Sequence, residues 1–331
     1  MPARNSSAGV SAPGLRRALV IIGLTCAAAA LWLGGLLAPL ADALRDERFS
    51  ISTRPATGRV VVVAIDSYSL SRVGIWPWPR DVHARLVNLL AGFGAADIAF
   101  DVDFSSRSTP EGDEAFERAL ADADGKVLLA AMRSLRFDGT VEHKIIPMQR
   151  FADHSWLGLV DVFPDRDGVL RRFPAGAIVE GVKMPSMPVL LGGRIDPPQG
   201  GIAIDFSIRQ ETIERIKAAD LLDGNVRAER VLGRKVIIGP TAPELRAVFH
   251  VPTSVAMPGP VVQALATETL LQRREIRDAG LPAAAGALVL LAVLALVAGS
   301  PQRRPPPLAR TAPPASFPPG GPAAGGGLHV A

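Results

Sequence analysis

Two stretches, RVVVVAI at residues 59–65 and ADIAFDV at 96–102, decide the fold. The first is a continuous β-branched run with no polar alternation, the pattern of a strand buried on both faces. It stops at Asp66. Between the two stretches, Asp81–Ala91 carries Val82, Leu86, Leu89 and Leu90 on one side, which predicts a helix, with Gly92 and Gly94 closing it. After ADIAFDV comes a polar break over Ser105–Gly112, then a helix over Asp113–Ala123 and a strand over Lys126–Ala131. The alternation is βαβαβ, and its natural assembly is a parallel sheet with right-handed crossovers.

Outward from this core the pattern loosens. Extended pieces at Thr140–Ile146, Leu157–Val162 and Val169–Ile178 are separated by turn residues such as Asp165-Arg-Asp-Gly168, and they predict a meander added to the sheet. Ile202–Phe206 is expected as a strand, Thr212–Leu222 as a helix, Lys235–Ile238 as a strand, and Pro260–Gln272 as the last helix. The expectation is one α/β domain over residues 42–278, a mixed, largely parallel sheet flanked by helices.

Both ends of that domain run into apolar sequence. Ala18–Ala41 holds 24 residues without a charge, long enough for a helix to cross about 30 Å of hydrocarbon. A cleaved signal peptide is the competing reading, but its apolar region is about 7–15 residues, so the length favours an uncleaved anchor. Leu281–Ala298 holds 18 residues, roughly 27 Å as a helix. Arg16 and Arg17 precede the first run and Arg303 and Arg304 follow the second, which by the positive-inside rule puts residues 1–17 and 299–331 in the cytoplasm and the domain outside it. The chain is therefore expected to carry one transmembrane helix at each end of a periplasmic domain in a bacterial inner membrane. The final Ser300–Ala331 contains nine prolines and five glycines, a flexible tail with no output module, and the abrupt shift in composition points to a truncated transducer.

Net charge is +4, with 36 basic and 32 acidic residues, yet residues 1–40 and 279–331 hold six arginines and no acid. The body is thus mildly acidic, the reverse of what a polyanion-binding surface needs, and nucleic acid is not an expected partner. A single cysteine, Cys26, excludes a disulfide scaffold.

The strand VVVVAID (60–66), then GIWPWPR (74–80), His83-Ala84 and the Gly-Ala-x-x-Ile-x-Phe-Asp run at 94–101 resemble the CHASE2 sensory domain of bacterial signal transducers. Later blocks are similar too: Asp165-x-Asp-Gly-Val-x-Arg-Arg172, Pro185-Ser186, Val236-Ile-Ile-Gly239, and Met257-Pro-Gly259 with Gln263-Ala264. The resemblance covers about residues 41–275. It implies an extracytoplasmic sensor anchored by an N-terminal helix, a homodimer, and in intact transducers a cyclic-di-GMP, cyclase or kinase output on the cytoplasmic side. The chain departs from that pattern in having one apolar run after the domain instead of two or three, in Ala247 where an acidic residue is common, and in Pro260 after Met-Pro-Gly.

Seven residues are candidates for ligand binding: Asp66, Trp76, Trp78, Arg80, His83, Asp101 and Asp103. Alternating prolines in Trp76-Pro77-Trp78-Pro79-Arg80 stiffen the loop after the first strand, and that carboxyl edge is where open α/β sheets bind ligands. The other reading, and the favoured one because aromatic loops more often pack than bind, is that both indoles plug the mouth of the core, with Arg80 pairing Asp66 or Asp101. Asp101-x-Asp103 matches the D-x-D of Mg²⁺-dependent phosphatases, the competing function, but without a partner Asp pair; a sensor without enzymatic activity is the favoured reading. Asp165-Arg-Asp-Gly168 lacks the later ligands of a Ca²⁺ loop and is a tight turn, so neither a metal nor any other cofactor is expected. The expected partners are the membrane and an unidentified small-molecule or protein signal.

Overall fold

The computed structural model describes residues 38–274, except 75, 136–140, 180, 195–199, 246–247 and 254–255, together with isolated positions between 20 and 30 and residue 286. The expected spans at 18–41 and 281–298, apart from those positions and 38–41, lie outside the described residues, as do both tails and Ala247. Among the described residues no helix is long and apolar enough to cross a membrane. The segment from residue 38 to 274 belongs to a single unit, Leu31–Gly280.

Val60–Ile65 forms β1, and all six of its residues are buried. Val61, Val63 and Ile65 enter one core and Val60 and Val62 another, because successive side chains of a strand alternate between faces. Each such side chain contributes about 1.5–3 kcal/mol on burial, which is why the unbroken run marks the centre of the sheet. The sheet has seven strands. Its order is β10 (Glu214–Lys217), β1, β11 (Lys235–Pro240), β2 (Asp97–Phe100) and β3 (Val127–Leu135), with β5 (Trp156–Leu159) also on β3. All these pairings are parallel, and only β4 (Val141–Ile145) is antiparallel, paired with the end of β3.

The steps β1 to β2, β2 to β3 and β10 to β11 advance across the sheet in the same direction. Right-handed crossovers then place every connecting helix on one face. That face carries α2 (Ser67–Val73), α3 (Arg80–Gly92), α4 (Pro110–Asp122), α5 (Gln149–Ala152) and α7 (Ala218–Leu222), whose Leu86, Leu90, Phe116, Leu120, Phe151 and Leu221 fill the first core. The second face is covered by α1 (Ala38–Ile51), α6 (Met187–Leu191) and α8 (Gly259–Leu271), through Phe49, Met187, Val189, Val261 and Leu265.

Two expectations are corrected. Thr212–Leu222 is not one helix: Glu214–Lys217 is the edge strand β10, and only Ala218–Leu222 is helical. Ile213 and Ile216 are three apart, which mimics a helix, but parallel pairing with β1 satisfies the backbone of 214–217 instead. Val169–Ile178 does not join the sheet. It splits into β6 (Arg172–Pro174), paired with β9 (Gly201–Ala203), and β7 (Gly176–Val179), paired with β8 (Val182–Pro185). A further ribbon pairs β12 (Val248–His250) with β13 (Ala256–Pro258). Helix α2 was not expected; Asp66 caps it, accepting a hydrogen bond from the Ser69 N–H at 2.8 Å. Pro260 lies in the first turn of α8, where a missing N–H costs little.

Candidate functional site

The carboxyl ends of β1, β11 and β2 lie side by side, and six of the seven candidate residues follow β1 or β2 there; His83 lies in the first turn of α3. Trp76, Trp78, Arg80 and His83 come together as a plug, Trp76 half-buried and the other three buried. Trp78 is 1 % exposed, its indole N–H donates to the Gly74 carbonyl at 3.2 Å, and its ring meets that of Trp76 edge-on at 5.6 Å. His83 is fully buried among Trp76, Trp78, Phe100, Phe104 and Phe116, with ring centroids 5.2–6.3 Å away. Neither of its nitrogens has a hydrogen-bond partner among the described residues. Burial, reinforced by the Arg80 charge, pushes the imidazole down to about 3, so it is neutral at physiological pH.

Arg80 does not pair with Asp66 or Asp101, as expected from the sequence. Its guanidinium lies 4.7 Å over the Phe104 ring and donates to the carbonyls of Ser106 at 3.0 Å and Asp103 at 3.5 Å. Burial lowers its pKa, and Asp113 and Asp103 partly oppose that. The rings thus seal the first core, and Trp78 and His83 can meet a ligand only if this cluster opens.

The three carboxylates have separate employments. Asp66 caps α2, while the exposed Asp103 accepts from the Ser105 N–H at 2.7 Å and closes a local turn. Asp101 donates its backbone N–H to the Ile238 carbonyl at 2.8 Å, but its carboxylate has no hydrogen bond or ion pair among the described residues. It packs where a Cβ on Gly259, the first residue of α8, would sit 3.2 Å from its Oδ2, and one on Gly239 3.1 Å from its Cβ. Burial raises its carboxyl to about 7. Among the described residues no group of three or more His, Cys, Asp or Glu side chains is arranged to hold a metal ion.

Two further clusters escaped the sequence reading, and both lie where the chain enters and leaves the domain. The Asp165-Arg-Asp-Gly168 turn is as expected, with the Gly168 N–H donating to the Asp165 carbonyl at 2.9 Å and Gly168 at φ 80°. Its purpose is to surround Arg171. That guanidinium is buried and donates to Asp46 of α1 at 2.7 Å, to Asp167 at 2.8 Å and to Asp165 at 3.1 Å. The turn was legible, but its partner Asp46 is 125 positions away from Arg171. The second cluster joins the incoming segment to the outgoing helix. Thr57 donates from its N–H and its hydroxyl to the two oxygens of Glu268 in α8, both at 2.8 Å. The Gln272 amide donates to the Pro55 carbonyl at 3.3 Å. Buried Asp205 receives Arg274 at 3.3 Å and Arg54 at 3.9 Å. Glu268 is fully buried, and its carboxylate has these donors in place of water.

A family model described as the CHASE2 domain matches residues 19–300, which takes in the sheet, both helical layers and both apolar runs. No curated protein and no solved structure matches the chain. With most of its length inside that match, the chain belongs to the CHASE2 family of extracellular sensory domains.

Proposed function

We propose that this chain is a periplasmic sensor held in a bacterial inner membrane by the runs at 18–41 and 281–298, and that it relays an unidentified signal as a change in the relation between its two ends. The observation that carries this reading is the pair of Thr57–Glu268 hydrogen bonds, which fastens the segment arriving from the first run to the helix that leads toward the second. Any signal that favours one body conformation acts on the membrane only through these two connections, and its effect is limited to its differential binding energy. The arginines outside both apolar runs and the extent of the family match support the topology.

The chain acts in this reading as a homodimer. Leu44 and Ile51, 66 % and 78 % exposed, lie seven residues apart on α1, while Phe49 and Asp46 hold the helix against the body. Exposed Glu47 and Arg48 flank that stripe on opposite sides, so two parallel copies place unlike charges together and two antiparallel copies like ones. The topology is tested by adding protease to intact spheroplasts. Cleavage within 42–278 with both termini spared is the expected result, and digestion of the termini with the body protected refutes the proposal.

A further inference from the structure

A cleft of about 180 Å³ opens between the last turn of α1, the segment 206–211 and α8. Its floor is apolar: Phe49, Phe206, Met257 and Leu265 are each at most 4 % exposed. Its lining also includes Arg209 and Glu211, two residues apart, both exposed, and neither side chain has a hydrogen bond or ion pair among the described residues. Cavities of about 150 Å³ hold a benzene ring, so this volume accepts a branched aliphatic chain or a single ring. An apolar floor with a few convergent polar groups is the usual make-up of a small-molecule site. Here the polar groups carry opposite charges: a guanidinium fits a carboxylate in fork geometry, and a carboxylate fits an ammonium.

We propose that this cleft binds a zwitterion with a small apolar body, an α-amino acid such as leucine, with Arg209 on its carboxylate, Glu211 on its ammonium and its side chain over Phe49 and Leu265. The proposal deepens the sensor reading and rests on it for its consequence, because the floor joins α1 to α8 and an occupant therefore touches both the incoming and the outgoing helix.

Isothermal titration of the purified full chain in detergent with three probes tests it. L-leucine binds, whereas isoamylamine and 4-methylpentanoate, each lacking one charge, bind at least tenfold more weakly. Arg209→Gln weakens leucine at least tenfold and leaves isoamylamine unchanged, Glu211→Gln spares 4-methylpentanoate instead, and Ser50→Phe, which fills the cleft, removes all binding. Because residues 209 and 211 are exposed, both charge variants keep the parent's melting temperature. The assignment is overturned if millimolar leucine gives no heat, or if its affinity survives Arg209→Gln. A separate measurement judges the relay: spin labels at Ile51→Cys and Arg273→Cys, with Cys26→Ser, report whether leucine changes their separation. Binding without such a change keeps the cleft and sinks the sensor reading.

Discussion

Replacing Arg171 with Met tests whether α1 is clamped to the body by charge. The guanidinium makes six hydrogen bonds to three carboxylates. The three are not equal, since the side chains of Asp46, Asp165 and Asp167 are 19 %, 39 % and 50 % exposed against 7 % for Arg171. Water can replace the arginine at Asp165 and Asp167, so those pairs contribute little when broken. At Asp46 it can do so poorly, and removing one partner of a buried pair costs about 3–5 kcal/mol. The expected loss for Arg171→Met is at the lower end, about 3 kcal/mol. Asp46→Asn leaves the guanidinium two carboxylates and one neutral amide oxygen in place of the third, and costs about 1–2 kcal/mol. Arg171→Lys does not rescue, because one ammonium cannot span three carboxylates in a fixed fork. Hydrogen exchange on the full chain reads the effect locally: amides of residues 42–51 exchange roughly 100-fold faster in Arg171→Met, the ratio that corresponds to about 3 kcal/mol. Arg171 also holds the Asp167 carboxyl below its ordinary 3.8. A depressed carboxylate contributes stability above its unfolded value and loses it as pH falls through the folded one, so the small contribution of this exposed pair is lost at acid pH, below 3.8. If Arg171→Met changes stability by less than about 0.5 kcal/mol, or α1 exchanges no faster, the clamp is not what holds this helix.

Asp101→Asn raises the urea midpoint at pH 8 and leaves it nearly unchanged at pH 4. Its carboxyl rises from 3.8 to about 7 in the fold, so its favourable contribution is complete below about pH 4 and lost as pH rises through about 7, worth at most roughly 4 kcal/mol; a pH-independent effect of the substitution contradicts this. Gly239→Ala sets a methyl 2.5 Å from the Pro260 ring and 3.1 Å from the Asp101 Cβ, an overpacking cost of about 1–3 kcal/mol, visible as a lower melting temperature. Trp78→Ala costs about 3–5 kcal/mol and admits water to His83, whose NMR titration then moves from about 3 toward 6.5; an unmoved titration shows that the other rings alone keep the imidazole dry.

The central strands were legible in the sequence because their signal is local. Val60–Ile65 is apolar at every position, and no environment but the middle of a sheet covered on both faces satisfies such a run. The helices before and after β2 were legible for the same reason, since Val82, Leu86 and Leu90 or Phe116 and Leu120 repeat with a helical period. Around the candidate site, the Trp76–Arg80 loop was placed at the correct edge of the sheet, and the plug was among the readings its aromatic content allowed. What the sequence determined alone is therefore the βαβαβ core, the two apolar runs and the family. The tertiary structure alone decided which strands are neighbours: β11 lies between β1 and β2, and β10, which has a helix-like sequence, is a strand only because β1 offers an open edge. It also decided which charges meet, since Asp46 and Arg171, or Thr57 and Glu268, are pairs that no local spacing can announce. A buried ion pair depends on desolvation by residues remote in the chain, and that exists only once the layers have closed over it.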